Sequence, residues 1–310
     1  MKKIKGVKRK RTKNRNPRAA EAGWVRIFTR EEFLRILADY DPQSPDGGEA
    51  KTGFREWVPW SYNIAWGCFH NCLYCVQRRC GVRHGDIPSP EAWPDERLKN
   101  VMPEVRKFEG GVMFPSAHDI TPQLLPAAIA ALKALLAMGN DVLIVSKPHL
   151  ECIKAICEAL KGFEKQILFR FTIGTLDAKI AKMWEPGAPA PKERTACLKY
   201  AKSHGFRTSV SMEPMLLGTE DAIKTFHKLL PLVTETIWIG KMNRKSVFRA
   251  AAGIKVACRY VRELQSNRAI LELVSHLGSQ PQVRWKDSIR KVIRAHVSGP
   301  GTESSAIKKG

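Results

Sequence analysis

The chain has 310 residues, with 52 Lys and Arg against 30 Asp and Glu, a formal charge of +22 and 44% apolar residues. That apolar share excludes a wholly disordered chain, and the length suits one large α/β domain or two ordinary ones. The longest unbroken apolar run, Leu124–Leu132, is nine residues, where a membrane span needs about 20, so no membrane association is expected. The charge sits at the ends. Residues 1–18 hold ten Lys/Arg and no acid, residues 243–310 hold fourteen Lys/Arg and four acids, and residues 19–242 are nearly neutral.

The first 22 residues have no apolar period and read as a basic flexible arm, and no apolar stretch follows to make them a secretory signal. A lead-in segment over 23–56 contains a short amphipathic piece at Thr29–Asp39, with Thr29 as N-cap, and a Pro- and Gly-rich loop at Asp41–Gly53. From Trp57 short β-branched or aromatic runs alternate with helical stretches. The strand candidates are Ser61–Gly67, Gly111–Ser116, Asp141–Lys147, Ile167–Thr175, Arg207–Glu213 and Thr236–Lys241. Helices are expected near Asp95–Phe108, Pro122–Met138, Leu150–Leu160, Lys192–His204, Thr219–Leu230 and Ser246–Gln265. Six β-α units in a row demand a parallel sheet with right-handed crossovers, and six suit a partial (β/α)6 TIM-like barrel. The core is expected over 57–245. A basic helical C-terminal extension over 246–310 follows, helical at Arg268–Leu277 and Lys286–His296. In either a barrel or an open sheet of this kind, the reactive site lies at the C-terminal ends of the strands.

The eight cysteines are too sparse for a disulfide scaffold, which points to reduced thiols and the cytoplasm. Cys152, Cys157, Cys197 and Cys258 read as buried small hydrophobes. Cys68, Cys72 and Cys75 fall where the first strand ends, in the run Cys68-Phe-His-Asn-Cys72-Leu-Tyr-Cys75. Three thiolates at C-x3-C-x2-C spacing on one loop can hold three irons of a [4Fe–4S] cluster and leave the fourth open to a substrate. The alternative is a non-catalytic, zinc-stapled nucleic-acid-binding protein, with Cys80 as fourth ligand and His70 or His84 as further donors.

This loop, with the aromatic Tyr74 before its third cysteine, resembles the defining motif of the radical S-adenosylmethionine (SAM) superfamily, and the resemblance covers about residues 57–243. It implies a [4Fe–4S] cluster whose open iron chelates SAM, reductive cleavage to a 5′-deoxyadenosyl radical, and an electron donor such as flavodoxin or ferredoxin. It also implies roles at the strand ends. Tyr74 would contact adenine, and Ser116 and Asp119 would contact the SAM amine. Ser146, Lys147, Thr172 and Thr175 would face the cofactor, Arg194 would pair with the SAM carboxylate, and Glu213 would lie near adenine and ribose. Ser116 and Asp119 also suit the first-turn chemistry of the next helix. Within the superfamily the likeness is to the spore photoproduct lyase-like branch, through the cysteine loop, Ser146-Lys147, and Glu185-Pro186 followed by Arg194. Two positions depart from the lyase: Ser116-Ala117-His118 stand where it has a hydrogen-donor cysteine, and Val76 where it has a tyrosine. The twin basic ends make nucleic acid a candidate substrate or partner, because binding of cations to phosphates is driven by counterion release.

Overall fold

The computed structural model describes residues 28–38, 52–243, 247–248 and 253–298; the basic arm lies outside them. Helix α1 (Arg30–Ala38) is followed by strands β1 (Trp60–Ser61) and β2 (Ala65–Trp66), helix α2 (Val76–His84) and strand β3 (Arg97–Leu98). Then strands and helices alternate: β4 (Val112–Phe114), α3 (Leu125–Ala137), β5 (Val142–Ser146), α4 (Leu150–Ala159), β6 (Ile167–Thr172), α5 (Ala178–Trp184), α6 (Pro191–Ser203), β7 (Arg207–Met212), α7 (Thr219–Leu229) and β8 (Ile237–Ile239). The chain closes with α8 (Ile254–Leu264), α9 (Asn267–Leu277), β9 (Val283–Trp285) and α10 (Asp287–Val297).

Seven strands form one sheet in the order β1-β4-β5-β6-β7-β8-β9, every neighbouring pair parallel, curled into a half-barrel. The central strands are buried on both faces, which is why they read as continuous apolar runs. Phe169 and Phe171 on β6, Val210 on β7, and Ile237 and Ile239 on β8 are fully buried, each stabilising the fold by about 1.5–3 kcal/mol. Covering helices present narrow apolar stripes. On α4 these are Cys152, Ile153, Ile156 and Cys157; on α6, Cys197, Leu198 and Ala201.

The expected partial barrel is present, with differences of detail that include two further helices, α2 and α5. The first expected strand is split: β1 joins the main sheet, while β2 pairs antiparallel with β3. The helix expected at Asp95–Phe108 does not form. Pro103 would cost it a hydrogen bond and disfavours helical geometry at Met102, and the backbone is held extended instead by Lys99 N to Ile64 O (2.9 Å) and Tyr62 Oη to Pro103 O (2.7 Å). In the C-terminal segment α9 and α10 form where expected. The helix expected at Ser246–Gln265 is described as helical only from Ile254, with residues 247–248 not helical, and the segment also supplies a seventh strand, β9. Among the described residues no helix is long and apolar enough to cross a membrane.

Candidate metal and cofactor site

The cysteine loop joins β2 to α2 and is pinned by backbone hydrogen bonds to the rest of the fold. Gly67 enters it at φ +79°, and a side chain there would run into the Asp95 carbonyl. Cys68 N donates to Trp93 O at 2.9 Å, Leu73 N to Trp184 O at 2.8 Å, and His70 O accepts from Gly187 N at 2.9 Å. Asn71, the residue before Cys72, takes the left-handed conformation (φ 51°) and donates its N–H to Cys68 O at 3.1 Å, a tolerance for which asparagine is favoured. The three cysteines therefore converge on one cavity of about 1400 Å³ at the C-terminal ends of the strands, where all three contribute to the wall.

All eight cysteines are free thiols. Burial pushes the Cys68 thiol well above its ordinary pKa, helped by Asp119 and the other two cysteines, and pushes Cys72 up to about 12; Cys75 is raised by the same cause. Ligation to a positive metal centre reverses that order, because a coordinating thiol is deprotonated outright.

The donor set fits an iron–sulfur cluster on two counts. Three thiols come from one loop and line one cavity, and a cation waits beside them. Arg78, in the first turn of α2, is only 4% exposed, yet its Nε and Nη1 have no hydrogen-bond partner among the described residues. Its Nη2 donates to Asn71 Oδ1, and the guanidinium lies 4.5 Å from the centroid of Phe248. Burial lowers its pKa, and the charges of Cys75, Cys72 and Cys68 oppose that. A buried guanidinium with unmet donors is costly unless an anion faces it. Cys80 sits within α2 and does not line the cavity. Among the described residues no group of three or more His, Cys, Asp or Glu is arranged around a single ion position.

Around the cavity, Tyr74, Ser116, Asp119, Ser146, Lys147, Thr172 and Glu213 all reach the wall. Asp119 accepts from Ile120 N (2.7 Å), Lys147 N (3.0 Å), Ser146 Oγ and His70 Nδ1 (3.1 Å). Burial works against its charge, but His70, Lys147 and Ser146 hold its carboxyl well below the usual carboxylate range. A depressed folded pKa contributes stability that is complete above the unfolded value near 3.9 and is lost as pH falls further. Asp119→Asn is therefore expected to flatten the loss of stability below about pH 4, read as the urea midpoint against pH.

Ser116 is aimed by a residue that motif reasoning missed. Asn63 Oδ1 accepts from Ser116 N and Ala117 N, both at 2.7 Å, and its Nδ2 donates to Ser116 Oγ at 3.0 Å. His118 is held neutral: Ile64 N donates to its Nε2 (3.1 Å), Nδ1 donates to Asp119 O (2.8 Å), and burial brings its pKa down to about 4.

Arg194 lies behind the wall. It ion-pairs with Glu185 at 2.5 Å and donates to Pro189 O (2.7 Å) and Thr172 O (3.1 Å). Glu185 in turn accepts from Tyr74 Oη, so the arginine braces Tyr74 at second hand. Lys147 Nζ lies 5.5 Å from the Tyr74 ring centroid; burial disfavours its charge, but Cys72, Glu185 and Asp119 raise its pKa above the usual lysine value. Elsewhere on the cavity wall Glu213 pairs with Lys286 (3.1 Å), which also meets Glu56 (3.0 Å), and Arg290 meets Glu56 at 3.1 Å. Burial raises the Glu213 pKa, opposed by Lys286.

No protein-family model matches the chain. It is 31% identical over 170 residues to the uncharacterized protein ORF301 of Acidianus two-tailed virus, a match covering 50% of this chain and 56% of that protein. The chain thus spans about half the length of the curated relative it matches. Among solved structures it is similar to a spore photoproduct lyase mutant with a dinucleoside spore photoproduct (TM-score 0.45, 15% identity, 73% of this chain and 63% of that one). It is also similar to Streptococcus suis SuiB bound to S-adenosylmethionine (TM-score 0.39, 12% identity, 57% of this chain and 39% of that one).

Proposed function

We infer that the protein is a radical SAM enzyme working in the cytoplasm. The observation that carries this reading is the C-x3-C-x2-C loop at the C-terminal mouth of a curled parallel sheet, with its three thiols on one cavity and the unmatched Arg78 guanidinium beside them. Cys68, Cys72 and Cys75 would hold a [4Fe–4S] cluster and leave one iron without a protein ligand. When bound, cluster and SAM supply reductive cleavage to a 5′-deoxyadenosyl radical that takes a hydrogen atom from the substrate. The chain's own residues orient and shield. Asn63 fixes the direction of Ser116, Asp119 stays ionised, and Lys147 offers a positive charge to a carboxylate. Glu185 and Arg194 stiffen Tyr74. Trp93, whose carbonyl anchors Cys68, is buried against Cys68 and Ile87 and keeps water from that side. Eight free thiols support a reducing compartment, and a flavodoxin- or ferredoxin-class protein is the electron donor in this reading.

Anaerobic reconstitution with iron and sulfide is expected to give a brown protein with about four irons and four sulfides per chain, which converts SAM to 5′-deoxyadenosine and methionine in dithionite. Stoichiometric zinc, no iron uptake and intact SAM would overturn the reading in favour of a zinc-stapled binding protein.

A further inference from the structure

Helix α8 has one buried edge and a broad outer face of mixed chemistry. Ile254 and Val261 belong to the same apolar cluster as Cys72, Tyr74 and Met242, so the helix and the cysteine loop share one core. Gln265 at its C-terminus locks it there: Oε1 accepts from Met242 N (2.9 Å), and Nε2 donates to Met215 O (2.9 Å) and Leu217 O (2.8 Å). Met242 lines the cavity, so α8 is joined to the cavity wall through Gln265.

On the outer face Lys255, Arg259 and Arg262 form a cationic row, and none has a side-chain partner among the described residues. Beside them Val256 and Tyr260, one turn apart, are 73% and 54% exposed. Glu263 at the C-terminal end is the one acid of the helix. In sequence, residues 244–262 contain six Lys/Arg and no acid. What sets this face apart is the pairing of Tyr260 with the cationic row: an aromatic ring beside a row of cations matches a base beside a row of phosphates.

We propose that the outer face of α8 is a docking surface for single-stranded nucleic acid, which presents a nucleotide to the cavity next to the cysteine loop. The cations take successive phosphates, and Tyr260 stacks on a base. A strand is favoured over a duplex because a flat aromatic platform needs an unstacked base. The substrate part of the proposal rests on the radical SAM reading; the binding part does not.

The test uses the full chain and fluorescein-labelled dT20 and rU20 in anisotropy titrations over a range of salt. Lys255→Glu/Arg259→Glu/Arg262→Glu is compared with a charge-matched control, Lys133→Glu/Lys161→Glu/Lys165→Glu, which reverses exposed lysines on and after α3 and α4. The α8 variant is expected to weaken binding of at least one oligomer more than tenfold beyond the control, and to reduce the slope of log affinity against log salt by about 2. Tyr260→Ala is expected to weaken binding about tenfold with the slope unchanged. Equal effects of the α8 and control variants, wild-type affinity in both, or binding only to phosphatidylserine vesicles would each overturn the proposal. Conversion of SAM to 5′-deoxyadenosine without nucleic acid, measured on the same preparations, reports separately on the radical reading.

Discussion

Cys72→Ala is expected to lose iron on reconstitution and to lower 5′-deoxyadenosine formation at least about 100-fold, because even residues one shell beyond a metal cost 10–100-fold. Cys80→Ala is expected to keep iron, sulfide and activity. The contrast follows from placement: Cys72 lies on the cavity wall, held by the bond from Cys75 N to Cys72 O (3.2 Å), while Cys80 lies along α2 away from the cavity. Iron content and 5′-deoxyadenosine, measured side by side, check it. Equal loss in both variants would mean that four thiols form one zinc-type site.

Arg194→Met is expected to reduce stability by about 3–5 kcal/mol, the usual result of removing one partner from a buried ion pair. Arg194 is 1% exposed and neutralises Glu185, which is fully enclosed and bonded to Tyr74. Removing the guanidinium leaves a buried carboxylate with the tyrosine hydroxyl as its remaining close partner. Arg194→Met/Glu185→Gln is expected to recover much of the loss, and denaturant midpoints of the three proteins check this. A single variant that unfolds like the wild type but binds SAM weakly would instead return Arg194 to the direct cofactor contact expected from its motif.

What was legible in the sequence was whatever local spacing encodes. The C-x3-C-x2-C run located the cysteine cavity, and the polar ends of the strands located most of its wall. Buried parallel strands such as Val142–Ser146 and Ile167–Thr172 announced themselves as apolar runs. Long-range pairing was not legible. Lys286 looks like one more charge in a basic tail, yet it is buried because Glu56 and Glu213 meet it from distant parts of the chain. Three-residue β9 is too short for a period to show, and its neighbour Ile237–Ile239 supplies the reason it forms. Asn63 carried no motif, since its role depends on a turn 53 residues away. Arg194 pairs with Glu185 and does not line the cavity, a depth that a pattern along the chain does not encode.

The half-barrel has two free margins, β1 and β9, each hydrogen-bonded to a single neighbour. In a closed barrel the ladder itself fixes the bore. Here the margins are tied by side chains: Glu56, just before β1, receives Lys286, Arg290 and the backbone N–H of Asp287, just after β9. One carboxylate and two cations thus bridge, by charge, the seam that strand pairs would close in a full barrel.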